Sequence, residues 1–110
     1  MIEVQVKGIL YKDVEVTISG HANYAEAGKD IVCAAMSLLW YNFYNSLYEL
    51  TNRDTTKLDS NSPEYRYMRI FKFDNNSTLL LQSFILGCES LQEQYPDNVK
   101  VTIFFWLIGD

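Results

Sequence analysis

Apolar and polar residues alternate at both ends of the chain. Ile2, Val4 and Val6 interleave with Glu3, Gln5 and Lys7, a period of two that predicts a strand with one buried face. Gly8 and the Lys12-Asp13 pair bracket a connection, after which Val14, Val16 and Ile18 alternate with Glu15, Thr17 and Ser19. Two strands this close in sequence pair antiparallel. Residues 20–29 follow neither period, hold Gly20 and Gly28 among small residues such as Ala22, Ala25 and Ala27, and read as a long loop.

Helical spacing takes over at Asp30, whose carboxylate suits an N-cap. Val32, Met36, Leu39, Phe43, Leu47 and Leu50 recur every three or four residues and predict a helix to about Leu50. Residues 51–63 are polar and read as a solvated connection. Residues 65–73 are aromatic-rich and predict a third strand. A second helix begins near Asn76 or Ser77, carries the stripe Leu81, Phe84, Cys88, Leu91 and Tyr95, and stops at Pro96. Val99, Val101, Ile103 and Phe105 then form a fourth strand. Phe104 and Trp106 make its other face apolar as well, which predicts either a central position or cover by a partner chain. The order β-β-α-β-α-β predicts an α/β fold of the α+β type: a mixed four-stranded sheet with two helices packed on one face.

At 110 residues the chain suits one domain, residues 1–110, and buries roughly two-thirds of its unfolded surface without metal or disulfide. The formal net charge of −5 and nine scattered basic residues argue against direct nucleic-acid binding. The alternating N-terminus is unlike a signal peptide, and the apolar run 103–108 is too short to span a bilayer. These features predict a cytoplasmic protein that makes no membrane contact and keeps its two cysteines as free thiols.

The single histidine, His21, sits where the second strand ends, and Cys33 follows after eleven intervening residues. With Asp30 as N-cap, Cys33 is the third residue of the helix, where free N–H groups and the dipole favour a thiolate. A nearby imidazole would supply base and acid, and the same N–H groups would receive an oxyanion. Against this stands the ordinary role of cysteine as a small core residue. Cys33 lies about 100° off the apolar stripe, toward a flank. Cys88 lies on the stripe of its helix and reads as structural. Asp30 has two readings, a helix cap or the group that orients His21. Ser37, one turn beyond Cys33, lines a site or is a neutral mid-helix serine. One His and two distant Cys make no metal-ligand set, and no cofactor is called for.

The stretch Ser19-Gly20-His21-Ala22, then Tyr24-Ala25, Gly28, Asp30-Ile31-Val32-Cys33-Ala34-Ala35 and Ser37, resembles the signature of the ribosomal-processing cysteine protease family. Leu91, Tyr95-Pro96 and Val99-Lys100-Val101 resemble it further along. The resemblance implies a dyad of His21 and Cys33, with Gly20, Tyr24, Gly28, Asp30, Ala34 and Ser37 as supporting or substrate-contacting residues. It implies a homodimer and a loop that closes over the substrate. The implied reaction is cysteine endopeptidase removal of the N-terminal extension of a large-subunit ribosomal protein, a peptide rich in Phe near the scissile bond. Tyr24, Trp40, Tyr41 and Tyr44 are candidate walls for such a peptide, although a helix core competes for two of them. The aromatic run Trp40-Tyr41-Asn42-Phe43-Tyr44 and the apolar end Phe104-Phe105-Trp106-Leu107-Ile108 depart from the family pattern. The alternative is a non-catalytic peptide-binding or assembly module of the same fold.

Overall fold

A computed structural model of the chain describes residues 1–9, 12–26, 28–52, 56–71 and 73–106. Ala27, Leu107, Ile108 and the Trp106 side chain, which entered the sequence reading, lie outside the described residues. The elements are β1 (Ile2–Ile9), β2 (Asp13–Ser19), α1 (Ile31–Leu50), β3 (Thr56–Asn61), β4 (Tyr65–Phe71), α2 (Asn75–Gln94) and β5 (Val99–Trp106).

They form one five-stranded mixed sheet in the order β3-β4-β2-β1-β5. Neighbours pair antiparallel except β1 and β5, which run parallel. The alternation seen in sequence becomes burial. Val4, Val6, Val14, Val16, Met68 and Ile70 are wholly buried on the face that meets the helices. Full burial of one such side chain contributes about 1.5–3 kcal/mol of transfer free energy. The helices answer with Val32, Met36, Trp40, Phe43 and Leu47 from α1 and Leu81, Phe84, Cys88 and Leu91 from α2. Phe43 and Phe84 stack across the helix pair with centroids 4.5 Å apart.

Three expectations change. The sheet has five strands, not four, and the order is β-β-α-β-β-α-β. The missed strand is β3, inside the polar stretch 51–63. Its TKLDSN sequence carries one apolar residue, the half-buried Leu58 opposite Met68, so it shows no hydrophobic period. Backbone pairing with β4 holds it, and polar side chains suit a sheet edge. A Ser62-centred turn closes the hairpin, with Ser62 Oγ accepting from the Tyr65 N–H at 3.1 Å. Second, β5 is not central. It lies at the other edge of the sheet, hydrogen-bonded to β1, with Phe104 exposed on its outer face.

Third, the buried row of α1 passes through Trp40, and Leu50 is exposed. Spacings of four, four, three and four from Val32 through Trp40 to Leu47 keep one face on the sheet and α2, and the row through Leu39 and Leu50 sits beside it.

Candidate active site

The site begins where β2 runs out. Gly20 takes φ of 85° and its N–H donates to the Glu64 carbonyl at 3.1 Å. A Cβ there would fall on the Met1 carbonyl oxygen, so the turn out of the sheet requires glycine. Gly20→Ala is therefore expected to cost about 1–3 kcal/mol, read as a lowered urea midpoint with unchanged slope.

His21 follows and is exposed, while Ala22 turns inward and is 1% exposed. The Ala22 N–H donates to Cys33 Sγ at 3.4 Å, and its carbonyl accepts from Asn98 Nδ2 at 2.8 Å. Asn23 occupies the left-handed region at φ 55°, which asparagine tolerates. The Tyr24 ring meets Tyr95 edge-on, with centroids 5.3 Å apart.

Asp30 joins this loop to α1. Its Oδ1 accepts from the Val32 and Cys33 N–H groups, both at 3.0 Å. Its Oδ2 accepts from Tyr24 N–H at 3.0 Å and Ala25 N–H at 3.4 Å. Burial alone would raise its pKa, but donors from Cys33, Tyr24, Ala25 and Val32 outweigh that and hold it below the ordinary carboxylate value. Asp30 is thus a helix cap and a loop brace. Among the described residues no hydrogen bond links it to His21.

Three of the helix-start amides expected to receive an oxyanion already have partners. The Val32 and Cys33 amides are held by the Asp30 carboxylate, and the Ala34 amide by the Asp30 carbonyl at 3.1 Å. The N–H that meets the sulfur comes from Ala22, across the loop.

Cys33 is half-buried on the flank of α1, and His21, Gly28, Asp30, Ala34 and Ser37 share with it one cavity of about 560 Å³. Asn23 and Ala25 complete the lining. Gly20 lies instead in a small adjoining space with Cys33, Ser37 and Arg66. Arg66 is 8% exposed and donates to Ser37 Oγ at 3.2 Å.

The expected aromatic wall from α1 is not in this cavity. Trp40 is fully buried in the core, Tyr41 lies under the Arg66 guanidinium, and Tyr44 stacks on Tyr48. The helix carries those residues away from the end that opens on the site. Tyr24 also lies outside the cavity lining. Sequence reasoning quoted Ala22 only within the family signature and missed Asn98 and Arg66. Asn98 and Arg66 reach the site from distant strands and turns, and no local pattern marks them.

Cys88 is fully buried, with Sγ 3.9 Å from Met36 Sδ, and burial pushes its thiol up to about 12. Such a thiol is inert at neutral pH. Cys88→Ala should keep activity and cost about 1–2 kcal/mol, measured by thermal unfolding beside a peptide-cleavage assay.

A half-buried thiol near a helix N-terminus, sharing a cavity with the chain's one histidine, is the arrangement of a thiol peptidase. The family model described as cysteine protease Prp matches residues 1–100, and the chain belongs to that family of cysteine proteases. The ribosomal processing cysteine protease Prp of Staphylococcus aureus is 28% identical over 91 residues, covering 82% of this chain and 86% of the relative. The corresponding Bacillus subtilis protein is 29% identical over 104 residues, covering 87% of each. The crystal structure of the S. aureus ribosomal processing protease with a covalently linked product peptide matches with a TM-score of 0.81 and 26% identity. That match covers 94% of this chain and 99% of the other.

Proposed function

We propose that this chain removes the N-terminal extension of a large-subunit ribosomal protein, with Cys33 as nucleophile and His21 as base. The observation that carries the reading is the shared cavity, in which Cys33 offers a thiol able to form a covalent intermediate and His21 an imidazole able to move its proton. Cys33 Sγ attacks the scissile carbonyl carbon while His21 takes the thiol proton. The tetrahedral oxyanion takes the Ala22 N–H as donor, because the Val32, Cys33 and Ala34 amides of α1 are committed to Asp30. Collapse breaks the C–N bond, and His21 returns the proton to the departing amine. Water, deprotonated by His21, then cleaves the thioester and frees Cys33. Asp30 holds the helix and the loop in register throughout.

The reading includes a homodimer that covers the apolar outer side of β5, where Phe104 stands exposed. Sedimentation equilibrium then gives twice the 12.8 kDa chain mass. It also includes action in the cytoplasm; among the described residues no helix is long and apolar enough to cross a membrane.

The decisive experiment incubates the protein with the extended ribosomal protein of its own genome and follows the mass of the product. The expected result is one fragment lacking the extension. An uncut substrate beside folded protein overturns the reading.

A further inference from the structure

We infer that Asn98 is a positioning residue for the reaction, holding Ala22 so that its N–H meets the Cys33 sulfur. The inference rests on the peptidase reading of Cys33 and His21. Asn98 lies in the turn between α2 and β5, and its own backbone is locked on both sides. Its N–H donates to the Tyr95 carbonyl at 3.0 Å, and its carbonyl accepts from the Ile2 N–H at 2.9 Å. From that fixed base Nδ2 donates to the Ala22 carbonyl at 2.8 Å, joining residues 76 apart in sequence.

Ala22 is held at three points. Its methyl is packed in the core, its carbonyl is held by Asn98, and its N–H donates to Sγ at 3.4 Å. That N–H closes the peptide unit that begins at the His21 carbonyl. One residue therefore sets both the donor at the sulfur and the backbone from which the imidazole projects. Removing the Asn98 donor leaves the Ala22 carbonyl to seek water, which frees the backbone torsions of Ala22. Donor and base then leave their places together. A catalytic geometry displaced by about 1 Å loses on the order of 100-fold in rate.

The test compares Asn98→Leu and Asn98→Asp with the unaltered protein, using a peptide that spans the cleavage site. Both variants remove the donor at nearly constant size, and circular dichroism reports their folding. The inference expects kcat to fall on the order of 100-fold while KM stays within about threefold, because the lost interaction serves the transition state. A general loosening of the fold would instead lower the melting temperature and leave the kcat of the folded fraction intact. A folded variant with kcat within about twofold of the unaltered protein overturns the inference. Loss of the folded state in both variants also overturns it, since Asn98 would then be a determinant of the fold. The two readings fail separately. Cleavage by Cys33→Ala overturns the dyad and this inference with it, whereas inactive Cys33→Ala beside fully active Asn98→Leu overturns this inference alone.

Discussion

Cys33→Ala is expected to leave the extended ribosomal protein uncut and the fold intact. The Cys33 side chain is half-buried on a helix flank, and its one hydrogen bond among the described residues is the Ala22 N–H. Truncation therefore removes little packing, and the expected stability change is below about 1 kcal/mol. The chemical loss is far larger. Without the sulfur no thioester forms, and removal of a nucleophile of this kind costs on the order of a million-fold in kcat. Mass spectrometry of the substrate and a melting curve of the variant check both halves. Cleavage at an undiminished rate would remove Cys33 from the mechanism, and loss of folding would make it a core residue.

Substitution of Asp30 separates two functions that one carboxylate combines. Asp30→Ala strips the cap from α1 and the brace from the loop together. The cap alone is worth about 1 kcal/mol, with a range of roughly 0.5–2. Asp30→Asn keeps an oxygen for the Val32 and Cys33 amides but turns an N–H group toward the Tyr24 and Ala25 amides, setting donor against donor. The asparagine variant should melt near the unaltered protein yet cleave roughly 10- to 100-fold more slowly, because the loop that carries His21 loses its brace. Equal stability losses in the two variants would show that the cap contributes nothing beyond the loop contacts, which both variants lose.

The pH dependence has a definite sign. The folded state holds the Asp30 pKa below its ordinary value of 3.8, so its stabilisation is present above that value and is lost as pH falls through the lower, folded one. The stability gap between the unaltered protein and Asp30→Ala should accordingly narrow on acidification in that range. Asp13, paired with Arg69, and Asp74, capping α2, also have lowered pKa values and lose stabilisation in the same direction. They are common to both proteins and drop out of the difference.

Much of this architecture is written locally in the chain. The alternation in residues 2–6 and 14–18 becomes β1 and β2, because a strand period of two reports directly which face is buried. Asp30 caps α1 and Leu50 ends it, as the side-chain chemistry and spacing dictate. The third place of Cys33 in that helix follows from the cap, and its flank position from lying one residue off the apolar stripe. Cys88 on an apolar stripe reads as core and is core.

Tertiary structure decided the rest, wherever a position depends on partners distant in sequence. β3 exists because β4 offers it a ladder of backbone hydrogen bonds, and a polar edge strand carries no hydrophobic signature. The placement of Trp40 in the core and the removal of the α1 aromatics from the cavity follow from which row of the helix meets the sheet and α2. Asp30 takes up amides of both the helix and the loop because a carboxylate has two oxygens, and the folded loop brings amides to both of them. Asn98 enters the site from 76 residues away, since the parallel pairing of β5 with β1 brings the end of α2 beside the loop that carries His21. Local sequence sets which side chains carry chemistry and on which element they stand. Which backbone groups face them is set only when strands and helices that are remote in the chain close around the same cavity.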